Sequence, residues 1–508
     1  MTDAAQAELT SLPASELAGL IASRRLSATE AVKAHIERIE ALNGRLNAVV
    51  VPMFEQALAA AADADRASAE GRPLHGVPVT VKECFHVVGT PSTVGLEARR
   101  ATTPEVDADL VAKLRDAGAI LVGKTNVPQL LLYVESDNPL YKRTNNPWNL
   151  DRSPGGSSGG EAAALAAGFS ALGLGTDIGG SVRVPAHFCG LQSLRPTPHL
   201  LSLNGTVDQL IFKEVVIPDA AGPLARTVGD LRLSMSAFGV QLAEVDVKSL
   251  RVGFYEEDGY FPASAACRRA VREAAGQLEA AGCRVERFAV PDVEEALAIF
   301  YASFTVEGAD PYKQLLEGST QDDRVKDLVL LGSLARPVRP VVRAVYELRR
   351  QRRIGQLLGW AGRRSAAEAT ALLTRLAAYR ETMLAALGEI DVLLAPPCSV
   401  PAVTHGATRQ LGPASVCYTL LYNVLGWPAG VVAATRVRPD EQVGRPPSPD
   451  QVDETARLVD EGSAGLPVGV QVAARPGRDD QVLAVMEMLE QGFRSRPDYP
   501  VSPVIPAG

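Results

Sequence analysis

Short apolar runs that alternate with helical stretches predict an α/β fold, a central sheet covered by helices. Two further observations support this. The chain has 508 residues, 46% hydrophobic and 22% charged, enough for a large buried core without disulfide support. No internal repeat divides it, although length alone would also admit two or three ordinary domains.

The elements follow in order. Ser27 and Glu30 form a capping box ahead of Val32, Ile36 and Ile39, which share one helical face. Val77 to Val81 reads as a strand, Asp107 to Ala117 as a helix, and Ala119 to Val122 as a second strand. Leu172 to Thr176 is a strand that runs into a glycine-rich turn, and Pro185 suits the start of the helix that follows. Val416 to Ala434 is 19 residues without a charge, the length of a membrane span. Asn423, Gly426, Pro428 and Gly430 interrupt it, so buried helix, turn and buried strand is the expectation. Leu466 to Ala473 is a strand, and Val482, Val485, Met486, Leu489 and Phe493 form a helical stripe.

Two segments depart in composition. Residues 438–465 are polar, with Pro-Pro-Ser-Pro-Asp at 446–450, and predict a surface excursion between two buried strands. Residues 324–364 are basic: Arg324, Lys326, Arg336, Arg339, Arg343, Arg349, Arg350, Arg352, Arg353, Arg363 and Arg364 face only Asp327 and Glu347. Within them Val341, Val345 and Leu348 share a helical face ringed by arginine, the pattern of an interfacial helix. A solvated basic face or an active-site lid is the expected role, and peripheral membrane contact the alternative.

The net charge of −8 argues against a nucleic-acid partner. Cys84, Cys189, Cys267, Cys283, Cys398 and Cys417 form no CxxC pair and no zinc spacing, so reduced thiols, a cytoplasmic soluble protein and no metal or cofactor are expected. The opening MTDAAQAELTSL has neither the basic nor the apolar region of a secretory leader.

Chemistry concentrates between Pro154 and Pro196, where ten of 43 residues are glycine, clustered around Ser157-Ser158 and Ser181. Glycine is concentrated where a chain turns sharply or approaches a ligand closely. Ser181 lies in a strand-to-helix turn, where the backbone N–H groups of Ile178, Gly179, Gly180 and Ser181 are suited to hold an oxyanion. A glycine-rich turn that merely caps a helix has the same local sequence. GxxxxGK[ST], GxGxxG and GxSxG are all absent here, which disfavours a nucleotide loop and a nucleophile elbow. His187 lies too near Ser181 in sequence for a typical triad partner. Lysine is the other available base, since burial favours its neutral form, and Lys82 ends the apolar run from Val77.

Together, Gly76 to Lys82, Thr125 to Gln129, Asn146 to Trp148 and the block containing GGSSGG and GTDIGGSVR resemble the amidase signature family. The resemblance implies one domain with a mixed sheet wrapped by helices, spanning 1–508, with a signature core at about 74–200. A helical basic cap or lid falls at about 300–365. It implies a Ser-Ser-Lys triad: Ser181 as nucleophile, Ser157 as bridging serine on a cis peptide bond, and Lys82 as base. Ile178 to Ser181 become the oxyanion cradle, with Ser158 and Thr176 as support. Asp177 and Arg183 are expected to form a structural ion pair that braces the turn.

Lys82-Glu-Cys-Phe85, Leu250 to Tyr255, Tyr418 to Asn423 and Pro428 to Val432 are similar to the fatty-acid amide hydrolase branch. In that branch the backbone after the Asn-Val-Pro-Gln motif lines the substrate channel, which puts Leu131 and Leu132 near the acyl site. Arginines 336, 339, 343, 349 and 350 interrupt the branch's apolar cap, so hydrophobic small amides are the expected substrates, with esters, anilides and carbamates admitted by the same acyl-serine route. The glutaminase component of a tRNA-dependent amidotransferase, its A chain, is the alternative. A monomer or homodimer is expected.

Overall fold

A computed structural model describes residues 3–213, 215–334 and 337–505; Arg336 of the basic segment lies outside them. Among the described residues the strands are β1 (Val49–Pro52), β2 (Pro78–Lys82), β3 (Ile120–Thr125), β4 (Leu172–Thr176), β5 (Gln192–Arg195), β6 (Ala221–Ala225), β7 (Arg251–Phe254), β8 (Arg284–Arg287), β9 (Val392–Ala395), β10 (Ala429–Arg436) and β11 (Pro467–Ala474). They form one mixed sheet in the order β1-β3-β2-β4-β6-β5-β10-β11-β9-β7-β8. The α/β class and the helix-wrapped mixed sheet are therefore as expected.

The central strands are buried along their whole length, because helices cover both faces of the sheet. β2 lies between β3 and β4 and is parallel to both. The register Val79↔Leu172 to Val81↔Leu174 brings the carboxyl ends of β2 and β4 side by side. Lys82 ends one strand and Thr176 the other. The helix Asp109–Asp116 carries the chain from β2 to β3, and Gly159–Ala166 carries it from β3 to β4.

The capping box opens the helix Ala28–Leu46, with Ser27 Oγ accepting the Glu30 N–H at 3.0 Å. The helix expected from Asp107 begins two residues later, at Asp109. The uncharged stretch resolves into the buried helix Cys417–Leu425, a left-handed Gly426 and β10. No described helix is long and apolar enough to cross a membrane.

The polar segment 438–465 departs from a plain surface excursion. It contains the helix Gln451–Asp460, whose Val452, Ala456 and Val459 are buried in the main core. Arg445 reaches inward to Asp460 Oδ2 at 2.6 Å. An amphipathic helix of ten residues needs only these few apolar positions, so its composition looks like that of a loop.

The basic segment folds as the helices Asp323–Ser333, Arg339–Leu348 and Arg352–Trp360. No residue of Arg339–Leu348 is buried; Val341 is 63% exposed and Leu348 84%.

Candidate active site

Lys82 is the last residue of a strand whose neighbours are all apolar or hydrogen-bonded, and its side chain is fully buried. A buried amine needs polar partners. Nζ has three: Ser157 Oγ at 2.8 Å, Thr176 Oγ1 at 2.6 Å and the Thr176 carbonyl at 3.4 Å.

Ser157 and Ser158 lie just before the helix Gly159–Ala166, after a cis Gly156-Ser157 peptide. Gly156 is required by close approach: a Cβ there would stand 2.7 Å from Glu135 N and 2.8 Å from Tyr133 O. Ser136 Oγ accepts the Gly159 N–H at 2.9 Å and fixes the loop from that side.

Ser181 sits where the chain leaves β4 for the helix Arg183–Cys189. Its carbonyl accepts the Ser158 N–H at 3.1 Å, which ties the two serine loops together. Among the described residues its hydroxyl makes no hydrogen bond, to Ser157 Oγ or to any other group. The N–H groups of Ile178, Gly179 and Ser181 likewise have no acceptor there. Gly180 differs from the four-amide expectation, because its N–H donates to Asp177 Oδ1 at 2.8 Å. Gly180 has φ +122°, and a Cβ on it would collide with the Thr419 side chain.

Asp177 and Arg183, both fully buried, brace this turn. Arg183 Nε and Nη2 grip the two carboxylate oxygens at 3.0 and 2.8 Å, a forked pairing. Nη1 continues to the Thr419 carbonyl and Gln471 Oε1, and Nη2 to Asn423 Oδ1. Burial alone would push the Asp177 carboxyl up; Arg183, and then Arg195, outweigh it and hold the carboxyl well below the usual range.

Leu131 is buried and Leu132 partly so, both packed on the main core. They lead directly into Tyr133–Glu135, the backbone against Gly156. The Phe300 ring faces Gly179, 3.0 Å from where a Cβ would stand. Phe300 packs on Phe304 at 4.7 Å between centroids, and Phe304 meets Phe212 at 5.7 Å. Tyr301 stacks on Trp360, the last residue of the basic segment's third helix. His187 takes no part: Nδ1 accepts the Gly469 N–H at 2.9 Å and Nε2 faces the Val400 carbonyl.

Three acids near Lys82, Glu161 and Asp208 buried and Asp219 partly so, escape a reading of the sequence. Glu161 accepts from Thr80 Oγ1 and, at 2.7 Å, from Thr125 Oγ1, and burial pushes its carboxyl up to about 8. Asp208 accepts the Thr176 hydroxyl at 2.7 Å, and Asp219 lies beside Asp208. Glu161 follows the serine motif directly, a signal available in the sequence; the two aspartates stand in no motif. Among the described residues no group of His, Cys, Asp and Glu is placed to hold a metal ion.

Comparison with known proteins agrees with this architecture. The chain is 34% identical to fatty-acid amide hydrolase 1 of Sus scrofa, over 95% of this chain and 86% of that protein. It is 31% identical to amidase 2 of Gibberella moniliformis, over 93% of this chain and 89% of that protein. The A chain of the glutamyl-tRNA(Gln) amidotransferase of Carboxydothermus hydrogenoformans is also 31% identical, over 84% and 91%. A solved fatty acid amide hydrolase shares the fold, with a TM-score of 0.81 at 23% identity, over 96% of this chain and 86% of that one. The Amidase family model matches residues 30–483, and the chain accordingly belongs to the amidase signature family and is an amide hydrolase.

Proposed function

We propose that Ser181 is the nucleophile of a Ser-Ser-Lys relay that hydrolyses amides of hydrophobic small molecules through an acyl-serine intermediate. The observation that carries this reading is the set of contacts on Lys82. A neutral amine keeps two N–H bonds on the Thr176 carbonyl and hydroxyl and turns its lone pair to Ser157 Oγ, which is how a base must face the proton it takes.

Lys82 takes the Ser157 proton as Ser157 takes that of Ser181, and Ser181 Oγ attacks the amide carbon. The tetrahedral oxyanion is received by the free N–H groups of Ile178, Gly179 and Ser181. Gly180 contributes by holding the turn on Asp177. The proton returns from Lys82 through Ser157 to the leaving nitrogen as the C–N bond breaks. Water repeats the relay on the acyl-enzyme and releases the acid.

The ring of Phe300 beside Gly179, with Phe304 packed on it, and the apolar Leu131 and Leu132 favour hydrophobic acyl or aryl groups. The fatty-acid amide hydrolases among the relatives support the same substrate class. The route also admits esters, anilides and carbamates. Residues 300–365 are read as a cap, since Trp360 reaches the Phe300 cluster through Tyr301.

Ser181→Ala and Lys82→Ala should each lower kcat on an aryl amide by at least about 10³-fold with the fold intact by circular dichroism. Full activity in Ser181→Ala refutes the nucleophile. Glutaminase activity with no aryl-amide turnover would favour the amidotransferase reading.

A further inference from the structure

The turn that carries Ser181 rests on the helix Cys417–Leu425, which supplies nothing to the relay itself. Thr419 and Asn423 stand four residues apart on that helix, hence on one face of it, and both are fully buried. Asn423 Nδ2 donates to the Asp177 carbonyl at 3.2 Å and to Asp177 Oδ1 at 3.0 Å. Thr419 has one hydroxyl hydrogen and two acceptors in reach, the Gly179 carbonyl at 2.9 Å and the Val416 carbonyl at 3.1 Å. The Val416 oxygen already accepts the N–H groups of Thr419 and Leu420, at 3.0 and 2.9 Å, which fill its two lone pairs. The Gly179 oxygen has no other donor among the described residues. The hydroxyl hydrogen therefore goes to Gly179.

The peptide that Thr419 grips joins Gly179 to Gly180. A peptide is planar, so its carbonyl and its N–H turn together. Thr419 holds the carbonyl, and Asp177 Oδ1 holds the N–H at 2.8 Å. Flanked by two glycines, this plane has no side chain of its own to resist rotation. Rotation would change ψ of Gly179 and φ of Gly180, two of the torsions that set the angle between the free N–H groups of Gly179 and Ser181. The next peptide is fixed separately, because the Gly180 carbonyl accepts the Val184 N–H at 2.8 Å.

We infer that Thr419 is a positioning residue for the oxyanion: its hydroxyl locks the Gly179–Gly180 peptide and so keeps the Gly179 and Ser181 N–H groups in a fixed relation. The inference rests on the reading of Ser181 as nucleophile and of those amides as its oxyanion cradle. The Thr419 carbonyl accepts Arg183 Nη1 at 2.8 Å, so the same residue fastens the ion pair that holds the other end of the peptide. Donors that meet a charge present only in the transition state gain their effect from being fixed beforehand. Thr419 therefore acts on kcat, and on affinity for a tetrahedral adduct, more than on KM.

The test compares full-length wild type with Thr419→Val, which keeps the shape and loses the hydroxyl, and Thr419→Ser, which keeps the hydroxyl. Each is assayed for kcat and KM on an aryl amide and for Ki of an aryl trifluoromethyl ketone, whose adduct on serine carries the oxyanion. Thr419→Val should lower kcat by about tenfold or more, short of the roughly 10²–10³-fold cost of a cradle donor lost outright, with KM within about twofold. Its Ki should rise by the factor by which kcat/KM falls. Thr419→Ser should stay within about threefold of wild type in both. Unchanged kcat in Thr419→Val would put the hydrogen on Val416 and overturn the proposal. A kcat loss without a change in Ki, the mark of a smaller folded fraction, overturns it too. So does an equal loss in Thr419→Ser, the mark of lost packing. Should Thr419→Val not fold, Thr419→Ser and Thr419→Ala differ by the hydroxyl alone, and equal kcat and Ki in those two overturn the proposal. Turnover retained in Ser181→Ala would instead refute the underlying reading of the nucleophile.

Discussion

Replacing Glu161 by glutamine should make the protein more stable at neutral pH than at acid pH, relative to wild type. Burial holds the Glu161 carboxyl at about 8 against an ordinary 4.5. Between those values the folded protein keeps a proton that the unfolded chain releases. The stability that Glu161 permits is therefore fully present below about pH 4.5 and is lost as pH rises toward 8, at about 1.36 kcal/mol per unit. From pH 5 to pH 7.5 the loss is about 3 kcal/mol, a large share of the roughly 5–15 kcal/mol that a domain commands. Glutamine keeps the shape and does not titrate. Its amide donates to Thr80 Oγ1, which passes its own hydrogen to Ser170 Oγ at 2.8 Å, while its oxygen accepts from Thr125 Oγ1. Urea unfolding of both proteins at half-unit steps from pH 5 to pH 7.5 measures the difference. The variant's advantage should grow by about 3 kcal/mol across that range, and parallel stability curves would refute the reasoning.

Three other outcomes are expected. Arg183→Ala strands the buried Asp177 carboxylate and the Gln471 and Asn423 acceptors, and should cost about 3–5 kcal/mol in chemical denaturation; a loss below ~1 kcal/mol would contradict the bracing role. Gly180→Ala meets both a positive φ and the Thr419 side chain, and should destabilise by about 1–3 kcal/mol and lower kcat on an aryl amide; wild-type kcat in that variant would show that the turn tolerates displacement. Val341→Ser with Leu348→Ser removes apolar groups already in solvent and should shift stability by no more than about 0.5 kcal/mol per site, read from urea midpoints.

Much of the fold is legible in the sequence, because β2, β4 and β11 are compact apolar runs and the helix Ala28–Leu46 carries its own cap. The loops around Ser157 and Ser181 are legible for a different reason: glycine is concentrated where backbone must pass close to backbone, as at Gly156 against Tyr133–Glu135. Asp208 and Asp219 are not legible. An aspartate in a connection usually faces water, and only the tertiary fold turns Asp208 inward to Thr176 and buries one oxygen of Asp219. The helix Gln451–Asp460 is hidden in the same way, its few apolar positions diluted by charge. Gly180 departs from its expected role because nothing local reveals that Asp177 claims its amide.

The long reach of Arg183 has a consequence for a chain still being made. Its Nη1 partners, the Thr419 carbonyl and Gln471 Oε1, lie 236 and 288 residues further on. At a synthesis rate of about 5–20 residues per second, Gln471 leaves the ribosome roughly 15–60 s after Arg183. Through that interval Lys82, Ser157 and Ser181 have all been made, yet the turn bearing Ser181 still lacks half of its brace. On the proposed relay, the turn that carries the nucleophile therefore gains its full brace only after residues 419–471 have been made.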